Sequence, residues 1–98
     1  MIASIYLAEF DQQYPSCIGH FSRKKAEEFL NISESHLRSD CSMLCKVSDF
    51  LPGWNYSPGD RGFYRESFYI LWLYRKLCRD LGRGKGLDIL IQELNQSN

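Results

Sequence analysis

A chain of 98 residues has room for one domain and one hydrophobic core. Its 44% apolar and 14% aromatic content suffices to build that core and excludes a disordered chain. Twelve Lys and Arg balance twelve Asp and Glu, so net charge is zero and a strong, non-specific polyanion binder is disfavoured.

Residues 1–20 read as an amino-terminal arm. Ile2, Ile5, Leu7 and Phe10 fit neither a strand period nor a helix period, and Tyr14, Pro15 and Ser16 interrupt whatever precedes them. The expectation is an edge strand or extended arm docked on the body or on a second subunit. The opening M-I-A-S-I-Y-L-A lacks a positive leader and meets Glu9 too early for a secretory segment. The most apolar run, residues 68–74, stops at Arg75, well short of the roughly 20 residues that span a bilayer. A cytoplasmic protein with no membrane partner is expected, and there thiols stay reduced.

The four cysteines offer two readings. Cys17 with His20 gives C-x-x-H, and Cys41 with Cys45 gives C-x-x-x-C, a set that could in principle hold zinc tetrahedrally. Both spacings also arise by chance, and Cys41 and Cys45 on a helix are more simply small buried apolar groups. Core thiols with no metal and no cofactor are the expectation, a disulfide is the least favoured option, and Cys78 belongs to packing.

Next come two short helices and a tight turn. Ser22 can cap the first, whose Ala26, Phe29 and Leu30 share a face. Asn31 tolerates the left-handed conformation a sharp turn needs, and Ile32 plugs the corner. Ser33 can cap the second helix with Glu34 near its positive end. Leu37 then points to the core, and Ser35, His36, Arg38 and Ser39 face outward. This is a helix-turn-helix pattern, and an ordinary αα-hairpin is the bland alternative.

From Val47 the chain runs into P-G-W-N-Y-S-P-G-D-R-G-F, whose prolines and glycines exclude a helix. The pattern predicts a short β-hairpin with Pro58 and Gly59 at its tip, flanked by Trp54, Tyr56 and Phe63, with Arg61 on the outgoing strand. A surface loop pinned by Trp54 is the alternative. A helix follows from Tyr64, with Gly82 just past its end. Its Tyr69, Ile70, Leu73 and Tyr74 need partners, from the arm or from another subunit. G-R-G-K-G lacks the strand and hydroxyl residue of a phosphate-binding loop. It reads as a flexible hinge, with minor-groove insertion of Arg83 and Lys85 as a sharper option. Leu87, Leu90, Ile91 and Leu94 form one face of a last short helix, and the tail from Asn95 to Asn98 should fray.

The segments F-L-N-I-S-E-S-H-L-R (residues 29–38) and R-G-F-Y-R-E-S-F (residues 61–68) resemble the DNA-binding domain of the MerR family and related excisionase-type proteins. The resemblance covers roughly residues 21–81, with residues 82–98 a short carboxy-terminal helix and tail. It implies a mainly α fold with a small β-wing, a winged helix-turn-helix. It also implies that Ser33, Ser35, His36 and Arg38 face bases or phosphates and that Arg61 grips the backbone. Glu27, Asn31 and Asp40 depart from the family pattern, and the long dimerisation helix of full-length MerR regulators has no counterpart here.

The expected function is sequence-specific binding of double-stranded DNA by a homodimeric transcriptional regulator, a repressor rather than an effector-driven activator. Ser22, Arg23, Lys24 and Arg61 would set register on phosphates, while Ser35, His36, Arg38 and Ser39 would offer donors to base edges. An excisionase-like DNA-bending factor is a variant of that reading. A protein-interaction module using Trp54, Tyr56, Tyr69, Trp72 and Tyr74 is the alternative from another class. No nucleophile with its base and no nucleotide motif stands out, so no catalytic residue is assigned.

Overall fold

Pro15 and the turn-forming residues around it stop a helix, and Gly19 releases the chain into an extended segment that reaches Ser22. The computed structural model describes residues 5–95. Helix α1 spans Ile5–Gln13, strand β1 His20–Ser22, helix α2 Arg23–Leu30 and helix α3 Glu34–Lys46. A 3-10 turn at Ser48–Phe50 leads to a loop, strand β2 (Gly62–Tyr64), helix α4 (Arg65–Leu81) and helix α5 (Arg83–Asn95). The architecture is mainly helical with one two-stranded antiparallel sheet.

The arm is the first correction. Residues 5–13 are helical rather than extended, and the helix succeeds despite a poor period because Phe10 alone supplies most of its anchor. Phe10 is fully buried, with its ring 5.2 Å from Tyr69 and 5.4 Å from Trp72. Ile2 and the rest of residues 1–4 lie outside the described residues, as do residues 96–98 of the predicted frayed tail.

The hairpin is the second correction. β2 pairs not with the Trp54–Tyr56 side of its own loop but with β1, in the register His20 with Tyr64, Phe21 with Phe63, and Ser22 with Gly62. The sheet thus brackets α2 and α3 in sequence instead of following them. Gly62 permits this pairing, since a Cβ there would lie 2.4 Å from the Phe21 carbonyl oxygen. The intervening segment is a loop with Trp54 half-buried, its ring 5.8 Å from Tyr56.

The two short helices form as their caps dictate. Ser22 Oγ accepts from Lys25 N at 3.1 Å, and Ser33 Oγ accepts from His36 N at 3.2 Å, each satisfying a first-turn amide. Between them Asn31 adopts φ 55°, ψ 50°, the left-handed cap expected of it. Ala26, Leu37, Cys41 and Leu44 turn inward.

α4 is the spine. Its Phe68, Ile70, Leu71, Leu73, Tyr74 and Leu77 are all buried, covered by α1 on one side and α5 on another. The surplus aromatic surface of this helix is therefore met within one chain. The predicted hinge is the third correction: Arg83 opens α5 directly, one residue after Gly82 ends α4 at φ 87°. Gly86 is what lets the helices meet, because a Cβ there would lie 2.9 Å from the Cys78 amide nitrogen. Gly86 serves close approach, and Gly82 supplies the positive φ that ends α4. Among the described residues, no helix is long and apolar enough to cross a membrane.

Candidate nucleic-acid interface

The exposed face of α3 carries Ser35, Arg38, Ser39, Ser42 and Lys46. Their spacing follows the helical repeat, so all five project from one side of the helix that Leu37, Cys41 and Leu44 anchor from the other. α3 stands as a ridge between two open grooves. One, of about 400 Å³, is bounded across from α3 by Tyr74 and Arg83. The other, of about 430 Å³, is bounded by Arg23, Tyr56 and Pro58. Arg38, Ser42 and Lys46 line both. Four cations from three elements are therefore gathered around one helix in a chain of zero net charge.

Two acids adjoin this face: Asp40, which lines the first groove, and Glu34, which is already engaged. Glu34 Oε1 accepts from Arg38 Nη2 at 2.8 Å across one helical turn, and both side chains remain well exposed. Such a pair contributes only a few tenths of a kcal/mol. It is weak enough to exchange for a ligand.

Asp40 behaves differently. It is 3% exposed, turned toward α4, and held between His36 and Arg75. Arg75 Nη1 lies 3.6 Å from its Oδ2 and 2.6 Å from His36 Nε2. A guanidinium only donates, so His36 accepts at Nε2 and carries its proton on Nδ1. His36 thus fastens α3 to α4 instead of standing free among the outward residues.

Burial pushes the Asp40 carboxyl above its ordinary value of 3.8, against the opposing pull of the Arg75 and Arg83 cations. The folded state therefore favours protonated Asp40. Its contribution to stability is fully present below 3.8 and is lost as pH rises through the higher folded value. Asp40→Asn, which stays neutral, should gain stability relative to the native chain between pH 4 and pH 7. Urea midpoints for both proteins across that range test this, and parallel pH profiles would refute it.

The remaining sequence-selected residues divide into two groups. Ser22 and Ser33 spend their hydroxyls on helix caps. Ser33 Oγ also sits 3.3 Å from Ser35 Oγ. Lys24 and Arg61 are exposed, and the Arg61 carbonyl accepts from Arg23 N at 3.4 Å, which brings the loop against the start of α2. Arg23 reaches across to donate to the Tyr56 hydroxyl, its guanidinium carbon 5.8 Å from that ring's centroid. Sequence reasoning missed Ser42, Lys46 and Tyr56 as members of this surface. Ser42 and Lys46 continue the Ser35 to Ser39 face by one and two turns, so helix periodicity could have found them. Tyr56 had no local signal.

No family model, curated protein or solved structure matches this chain.

The cysteines do not converge. Cys17 is exposed on the loop after α1, Cys41 is buried and Cys45 half-buried on α3. Among the described residues no group of three or more His, Cys, Asp or Glu is arranged to hold a metal ion. Burial pushes the Cys41 thiol up to about 12, which keeps it protonated and packed as a small apolar group.

Proposed function

We propose that this protein binds double-stranded DNA, with α3 as the element that enters the major groove, and acts as a homodimeric regulator of transcription. The observation that carries this reading is the gathering of Arg23, Arg38, Lys46 and Arg83 around the serine-lined face of α3. Cations on flanking elements suit the two phosphate strands beside a groove, while hydroxyls and Arg38 along the helix suit base edges. The resemblance to MerR-type and excisionase-type domains in residues 29–38 and 61–68 agrees with it. Dimerisation follows from energetics, since one such domain buries little DNA surface and specificity is gained from two half-sites.

The interaction-module alternative has less support. Tyr56, Trp72 and Tyr74, three of its five anchors, are buried in the chain's own core, and Trp54 and Tyr69 are half-buried.

Binding to a pool of random duplexes at two salt concentrations tests the proposal. Three or four phosphate contacts predict that the logarithm of affinity falls against the logarithm of salt with a slope of about −3. Arg38→Ala should cost about 1–3 kcal/mol and blur one position of the selected site, whereas Lys46→Ala should weaken all duplexes alike. Binding that ignores salt, or that both variants leave unchanged, would overturn the reading.

A further inference from the structure

The groove between α3 and the loop at Tyr56 and Pro58 has chemistry that a bare cationic surface lacks. Three cations, Arg23, Arg38 and Lys46, line it, and none of its lining residues is a carboxylate. Cys41, buried, and Cys45, half-buried, also line it, so the groove joins a positive rim to weakly polar thiols. Cys45 Sγ donates to the Tyr56 carbonyl oxygen at 3.7 Å, which ties the loop to α3 and fixes the width between them.

Tyr56 is the unusual member. Its ring stacks on Phe63 at 4.6 Å and is 8% exposed, so its hydroxyl is held in position by the core beneath. That hydroxyl accepts from Arg23, and among the described residues it donates to none. A phenol has one hydrogen to give as well as lone pairs to offer. Burial pushes its pKa above the ordinary 10.0, so the hydrogen is retained at neutral pH. The groove therefore presents a fixed, unspent donor beside a guanidinium.

We propose that this groove seats one sugar-phosphate unit of the bound DNA strand, with the Tyr56 hydroxyl donating to a phosphate oxygen, Arg23 and Lys46 supplying charge, and the sugar lying on Cys41, Cys45 and Pro58. This rests on the DNA-binding reading and adds to it a neutral contact that no count of cations would reveal. Tyr56 accepts from Arg23 and donates to the phosphate, so the ligand completes a chain of hydrogen bonds already begun in the free protein. Tyrosine hydroxyls are among the groups that position proteins on the phosphate backbone.

The test compares duplex affinity for the native chain, Tyr56→Phe and Arg23→Gln at two salt concentrations, with thermal melting to verify that each variant is folded. Tyr56→Phe keeps the stacked ring and should weaken binding about tenfold on every duplex while leaving the salt slope unchanged. Arg23→Gln should reduce the slope by about one. A duplex carrying one neutral methylphosphonate linkage, moved step by step along the site, should at one position weaken the native chain by a larger factor than it weakens Tyr56→Phe. If Tyr56→Phe binds within about twofold of the native chain while Arg38→Ala still weakens binding, the groove assignment falls and the DNA reading stands. If the native chain binds no duplex, the DNA reading itself fails, and this inference with it.

Discussion

Phe68→Ala is expected to destabilise the protein by about 3–5 kcal/mol, a large share of the total for a domain this small. Phe68 is fully buried and stacks on Phe21 at 4.1 Å with the planes 15° apart. Its ring also lies 5.3 Å from Tyr14, 5.9 Å from Phe10 and 6.4 Å from Phe29. Those four partners belong to α1, the turn after it, β1 and α2, so one side chain of α4 gathers every amino-terminal element up to α2. Its removal leaves a cavity walled by rings that cannot collapse without moving four backbone segments, which puts the cost toward the upper end. Phe68→Leu keeps most of the volume and should lose less than half as much. Urea denaturation of the three proteins gives the comparison, and a loss below about 1 kcal/mol for Phe68→Ala would mean the cluster closes over the gap.

The elements whose signals are local were legible in the sequence, and those depending on distant partners were not. Ser22, Ser33, Asn31 and Gly82 act within a few residues of themselves, and each ends or begins a helix where its chemistry predicts. α1 has no such signal, because its helix is stabilised by Phe10 reaching Phe68, Tyr69 and Trp72, nearly sixty residues further along the chain. The sheet was misread for a related reason. Turn residues around Pro58 indicate a reversal but not the partner of the returning strand, and Phe63 pairs with Phe21 because both rings are fully buried. In the candidate site, the outward residues of α3 followed from periodicity alone. His36 did not, since nothing nearby announces that Arg75 would claim its ring. Tyr56 and Arg23 stand 33 residues apart and meet only in the fold.

Arg65→Ala should cost about 2–4 kcal/mol, and the loss should concentrate in α1 and the turn after it. Arg65 opens α4, yet its guanidinium reaches back to the amino-terminal segment. Nη1 donates to the Pro15 carbonyl at 2.9 Å and the Ile18 carbonyl at 3.0 Å. Nη2 donates to the Tyr14 carbonyl at 2.6 Å and to Asp11 Oδ1 at 2.9 Å. The cation also lies 4.9 Å from the centroid of Phe10. Its side chain is 18% exposed against 51% for Asp11, so the ion pair itself is partly solvated and the carbonyl contacts matter more. Three carbonyls of an irregular turn have this one donor group in common, and those of Tyr14 and Ile18 are part-buried. Lysine offers a point charge without the planar fork, so Arg65→Lys should recover only the Asp11 pair and one carbonyl. Hydrogen exchange separates this from a uniform loss: amides of residues 8–14 should exchange faster in Arg65→Ala by a larger factor than those of α4. Equal acceleration in both would show that Arg65 supports the whole core at once, with the amino-terminal helix as one inseparable part of it.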